Sequence, residues 1–221
     1  MNTKISIKSI NYTKILQSNQ KSIKMRILLV LYVFLCYNSG RFICFEGFKM
    51  NSAYVYLQLY RLFDTITPLT VDCGKLCDSA CCKGDDSGMF LFPGEKEVYK
   101  LIKPNGIRIE SSDLRYCYND NEYRTPILFC GGQCDRYIRP LACRIFPLTP
   151  ILDENGKIEV IVDPRAKSVC PLAKTLFLDE YTPDFIKSIK KAFTILTKNK
   201  QVRAFMIEYS KYINEYKKFF N

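Results

Sequence analysis

An α+β fold is predicted, with a small irregular cysteine core suited to metal, framed by short strands and a β-hairpin and flanked by helices at both ends. Three observations predict it. Two central loops are dense in Cys and Gly, a hairpin pattern surrounds Asp153-Glu154-Asn155-Gly156, and apolar residues recur at helical spacing on either side. The first helix is expected over residues 52–66, with Val55, Leu59, Leu62, Phe63 and Ile66 on one face and Pro68 just past its end. Residues 71–88 carry Gly, Asp and Cys without apolar period and read as loop, and 89–92 as a short strand. Pro93 then opens a helix over 94–103, with Glu95 and Glu97 in its first turn, where negative charge suits the helix dipole. Ile107-Arg108-Ile109 alternates as a strand does, and 126–129 leads into the second cysteine loop, 130–147. Residues 148–152 and 157–163 flank the hairpin turn, and 163–171 forms a further loop. Thr182-Pro183 caps a helix carrying Phe185, Ile189, Phe193 and Leu196. After Asn199 a last helix places Val202, Phe205, Met206, Tyr209, Tyr212, Ile213, Tyr216 and Phe220 three, four and seven apart.

With 221 residues, 48% of them apolar and 25% charged, the chain has the composition of a globular protein. Residues 1–49 read as a leader or a mis-assigned upstream segment, 50–181 as a cysteine-cluster metal-binding domain, and 182–221 as a helical pair packed on it. The net charge of +11 suggests nucleic acid or membrane until it is mapped. Residues 1–49 carry +7 and residues 184–221 carry +6, whereas 50–183, which holds the cysteine loops, is −2. The basicity belongs to the ends, so no nucleic-acid partner is expected. The apolar run 27–37 follows Lys24 and Arg26 and has the shape of a signal peptide, but it is too short for a bilayer, which needs about 20 residues. Alternatively translation starts at Met50, since Glu46-Gly47 admits a purine-rich, ribosome-binding-type codon run just upstream. The second reading predicts a cytoplasmic protein; the first, export or an anchor through residues 25–37.

The chain has no His, which excludes the Ser-His-Asp triad, the Cys-His pair and histidine-ligated zinc hydrolase sites. It has 11 cysteines. Cys73, Cys77, Cys81 and Cys82 fall in the first loop, Cys130, Cys134 and Cys143 in the second, and Cys170 stands in Ser168-Val169-Cys170-Pro171. Short spacings on glycine-containing turns let successive thiolates face one ion or cluster. Soft thiolates without imidazole select zinc or an iron–sulfur cluster. Four thiolates on one centre leave about two net negative charges. Arg139, Arg144 and Arg165, with Arg136, stand beside the cysteines and would either offset that charge or hydrogen-bond loop carbonyls. Cys36, Cys44 and Cys117 read as ordinary small apolar residues. The C-x3-C-x2-C of radical chemistry with S-adenosylmethionine, a redox C-x-x-C, a P-loop and a dinucleotide glycine motif are all absent. Eight paired cysteines in an exported protein would be the disulfide alternative.

The doublet Cys81-Cys82, the run Phe92-Pro93-Gly94-Glu95, Cys130…Cys134, the run Arg139-Pro140-x2-Cys143-Arg144-x2-Pro147 and Cys170 together resemble the YkgJ-like cysteine-cluster family. That family is described as a zinc- or iron-chelating domain with eight characteristic cysteines. The resemblance covers residues 73–171. The opening gaps here are three residues each, where the family's are usually two. The resemblance implies metal binding by Cys73, Cys77, Cys81, Cys82, Cys130, Cys134, Cys143 and Cys170. Some relatives are labelled flagellin lysine methylases, which sets the alternative of a cluster-dependent protein-modifying enzyme.

Overall fold

The computed structural model describes residues 52–71, 73–83, 88–131 and 136–219. The chain divides at Met50, and everything described lies in the unit Met50–Asn221. The apolar run 27–37, Cys36, Cys44, Cys134 and Phe220 lie outside the described residues.

The architecture is α+β, with helices at both ends of the described chain and two small antiparallel sheets between them. The first helix, α1 (Ser52–Thr65), ends where Pro68 requires. Its fully buried residues are Ala53, Tyr56, Tyr60 and Phe63; of the expected stripe Phe63 is one of these, while Val55, Leu59, Leu62 and Ile66 pack half-buried against the same core. The tyrosines turn inward because their hydroxyls have partners there: Tyr56 donates to the Pro93 carbonyl at 3.0 Å and Tyr60 to Glu95 Oε1 at 2.6 Å. The expected loop over 71–88 contains a helical turn, α2 (Cys73–Leu76), and a 3-10 turn, Ala80–Cys82.

The first sheet joins β1 (Gly88–Phe90), β3 (Asn121–Phe129) and β2 (Arg108–Tyr118) in the order β1-β3-β2. The β2–β3 hairpin runs from Arg108↔Phe129 to Tyr118↔Asn121, with a register shift between Ser111 and Arg115. Sequence patterning found only its two ends. The signal was Asn119-Asp120, both with positive φ (48° and 60°), as a two-residue hairpin turn demands. Between β1 and β2 lies α3 (Lys96–Ile102), shorter than expected because Gly94 bends the chain at φ +89° before the helix begins. A Cβ at Gly94 would stand 2.7 Å from Ser52 Cβ. Gly94→Ala is expected to destabilise the fold by about 2 kcal/mol through strain and clash together, checked by urea denaturation.

The second loop also holds a helix, α4 (Leu141–Ile145), which leads through a cis Phe146–Pro147 bond into β4 (Leu148–Leu152). β4 pairs with β5 (Ile158–Val162), the hairpin the sequence predicts. A 3-10 turn over Pro164–Ser168 and α5 (Pro171–Thr175) follow. The C-terminal helices α6 (Pro183–Leu196) and α7 (Lys200–Lys218) match their periodicity, with Pro183 at the first turn and Asn199 Oδ1 accepting from the Gln201 and Val202 N–H groups. α7 packs on β2 and β4, and α6 on β4 and β5. The centre is aromatic: Phe92 meets Phe193 at 4.8 Å and Phe205 at 5.7 Å, edge on, and Phe205 stacks on Tyr209 at 5.4 Å. This apolar core spans both sheets and the helices α1, α3, α4, α6 and α7. The cysteines do not make up its centre: of those described only Cys170 is buried, in a small satellite cluster with Ala166 and Ala173. No helix among the described residues is long and apolar enough to cross a membrane.

Candidate metal centre

Six of the eight expected ligands line one cavity of about 70 Å³: Cys73, Cys77, Cys81, Cys82, Cys143 and Cys170. The space is several times the roughly 15 Å³ that a single water requires. Three separate stretches of chain bring these thiols together. α2 and the turn after it carry Cys73 and Cys77, the 3-10 turn carries Cys81 and Cys82, α4 carries Cys143, and Cys170 precedes Pro171 at the start of α5. Cys130 is half-buried at the end of β3, packed against the main core, and is not among the cavity residues. Cys117 is exposed on β2. None of the described cysteines is paired in a disulfide.

The electrostatics tie the sulfurs into one group. Cys81 hydrogen-bonds Cys82, and that bond, helped by the charge of Arg139 and opposed by burial, lowers the Cys82 thiol to about 6. Cys81 is pushed the other way, first by that bond, then by burial and by the charges of Cys82, Cys143 and Cys170. One proton held between two adjacent sulfurs accounts for both directions. A soft, imidazole-free donor set of this kind fits zinc or an iron–sulfur cluster. Among the described residues, however, no three Cys, Asp or Glu side chains are grouped closely enough to hold an ion. The thiols stand around the cavity wall and do not meet at a point.

The arginines divide. Arg139 and Arg144 line the cavity. Arg144 is nonetheless committed elsewhere: its guanidinium donates to the carbonyls of Arg139 (2.8 Å), Tyr60 (3.0 Å) and Tyr137 (3.1 Å), and to Asp64 Oδ1. It also stacks over the Tyr60 ring at 4.5 Å. Its charge is met by Asp64, and its fork holds the loop before α4 against α1. Arg165 is not among the cavity residues. It forks onto Asp163 (2.9 and 2.6 Å), donates to the Tyr209 hydroxyl (2.8 Å) and lies over the Phe90, Tyr209 and Tyr212 rings. It thereby fastens the loop leading to Cys170 onto α7.

The residue that sequence reasoning misplaced is Glu95. It does not serve the dipole of α3 from an exposed first turn; it is completely buried. Oε1 accepts from the Leu141 N–H at 2.6 Å and the Tyr60 hydroxyl at 2.6 Å, and Oε2 from the Phe92 N–H at 3.0 Å. Leu141 is the first residue of α4, so a carboxylate 46 positions away satisfies an orphan donor of the helix bearing Cys143. Tyr99, on α3, adds a bond to the Ile138 carbonyl at 2.8 Å. The only sequence-level sign was that Glu95 and the Arg139–Pro147 run belong to the same resemblance. Comparison with protein-family models, with curated proteins and with solved structures returns no match.

Proposed function

We propose that the cavity is a thiolate metal centre, holding zinc or an iron–sulfur cluster, in a metal-binding protein of the YkgJ-like cysteine-cluster type. The observation that carries the reading is the convergence of six cysteines from three chain segments on one cavity. Cys73, Cys77, Cys81, Cys82, Cys143 and Cys170 would hold the group. The bound metal would supply cross-linking free energy to a segment poor in apolar residues, and an iron–sulfur cluster a redox couple as well. The reading favours a reducing compartment, the cytoplasm, where thiolates stay unpaired and able to bind.

The test is metal content by mass spectrometry with a visible absorption spectrum, on the full chain purified without oxygen. Stoichiometric iron with acid-labile sulfide, or stoichiometric zinc in a colourless protein, is the expected result and decides between the two. Cys143→Ser and Cys170→Ser are expected to lower the bound metal by tenfold or more, while Cys117→Ser leaves it unchanged. A metal-free protein whose thiols pair on exposure to air would overturn the reading in favour of a disulfide protein.

A further inference from the structure

The C-terminal helices carry charge for which the metal centre has no use. Residues 184–221 hold nine Lys or Arg against Asp184, Glu208 and Glu215, and all nine cations are exposed. On α7 they are ordered. Its apolar face, from Val202 to Ile213, is buried, and the helix packs on β2 and β4. The opposite face presents Lys200, Arg203, Ile207, Lys211, Asn214 and Lys218, each exposed. At 3.6 residues per turn these six lie within about 80° of arc and run about 27 Å along the axis. Lys211 is met by Glu208 at 2.8 Å, and Arg203 donates to the Gly156 carbonyl at 3.4 Å. Among the described residues Lys200, Lys217 and Lys218 make no ion pair. Lys217 and Lys218 stand in the last turn beside Phe219, which is 84% exposed. In sequence Phe220 follows.

We propose that this face of α7 docks the protein on a membrane surface rich in anionic lipid, with Lys200, Lys217 and Lys218 at the phosphates and Phe219 among the headgroups. The docking does not depend on the metal centre. Charge complementarity names the partner: unpaired ammonium groups spread along a straight helix match a planar sheet of diffuse negative charge. Each such cation strengthens attachment about fivefold. Eight of the nine cations are lysines. Lysine is a compact point charge and lacks the planar fork with which arginine reads base edges and single phosphates, so a nucleic acid is the poorer match. An exposed aromatic ring beside two lysines suits the boundary where headgroup charge meets acyl chain. The cytoplasmic leaflet carries such lipid, on the side where thiolates stay unpaired.

The test is co-sedimentation of the full chain with vesicles of phosphatidylcholine, alone or mixed with equal parts of phosphatidylglycerol. The wild type is expected to bind the mixed vesicles and not the neutral ones. Binding should fade as salt rises toward about 0.5 M, where charge is screened within a few ångströms. Replacing Lys200, Lys217 and Lys218 together by Gln is expected to weaken binding on the order of a hundredfold. Replacing the same three by Arg, which keeps the charge, should leave it intact. Phe219→Ala is expected to cost about tenfold. All four positions are exposed, so none of these variants should melt below the wild type. A wild type that ignores the mixed vesicles, or binds neutral ones equally well, would overturn the proposal. So would a Gln variant that binds as tightly as the wild type, which would place the attraction in residues 1–49, themselves at +7. Tighter binding to poly(U) RNA or to poly-glutamate at the same salt would overturn it in favour of a nucleic acid or an acidic protein.

Discussion

Glu95→Ala is expected to cost about 4 kcal/mol of folding stability, measured by urea denaturation of the metal-free chain. The carboxylate accepts from two backbone N–H groups and one hydroxyl, and all three donors are left buried without it. Glu95→Gln is expected to cost about half as much: its oxygen still accepts from Leu141 and Tyr60, but its amide then faces the Phe92 N–H, donor against donor. Burial pushes the Glu95 carboxyl up to about 7, from an ordinary 4.5, while the bonds from Leu141, Tyr60 and Phe92 and the charge of Arg144 pull it down. A carboxyl that holds its proton more tightly folded than unfolded contributes stability that is complete below about pH 4.5 and lost as pH rises through 7. Relative to Glu95→Gln, which does not titrate, the wild type is expected to lose part of its advantage between those limits. A wild-type advantage that grows from pH 5 to pH 8 would contradict this.

Arg144 gives the second large effect. Its guanidinium is 2% exposed and joins three carbonyls to the Asp64 carboxylate, which is itself 27% exposed. Removing one partner of a buried pair leaves the other's charge uncompensated, so Arg144→Ala is expected to cost about 4 kcal/mol. Arg144→Lys keeps the charge but not the planar fork that reaches four acceptors, and about 2–3 kcal/mol is expected. Both losses should appear in the metal-free protein, because Asp64 and the loop carbonyls are present whether or not metal is bound. Were Arg144 chiefly a counter-charge to thiolates, Arg144→Lys would unfold like the wild type without metal and differ only with it. A double-mutant cycle with Asp64→Asn, expected to return a coupling above about 1 kcal/mol, isolates the ion pair from the carbonyl bonds.

The C-terminal helices were legible because their signals are local. Phe185, Ile189, Phe193 and Leu196 repeat at one face, Asn199 supplies its own cap, and both features act within a turn or two of chain. The β4–β5 hairpin was legible for the same reason, from Asp153 to Gly156. The β2–β3 hairpin was not: Ile109, Ser112, Leu114, Tyr116 and Tyr118 turn inward by alternation, but the register shift between Ser111 and Arg115 breaks the period after the first few residues. In α1 the pattern was incomplete: Phe63 and the half-buried aliphatic residues pack on the core as expected, but the most buried positions also include tyrosines whose hydroxyls find partners 35 and 37 positions away.

For the candidate site, the sequence by itself determined the donor chemistry: eight clustered thiols, no imidazole, and arginines alongside. Which thiols share a space was a matter of tertiary structure. Cys73 and Cys170 are almost a hundred residues apart and line the same cavity, while Cys130, in the same loop as Cys143, does not. The supporting residues were decided there too. Glu95 holds Leu141, and Arg144 holds Asp64 and the Tyr60 carbonyl, each across a long span of chain. The physical reason is common to all of them. Whether a polar side chain serves solvent, a helix dipole or a buried partner depends on what surrounds it after folding, and local spacing carries no information about groups brought in from elsewhere in the chain.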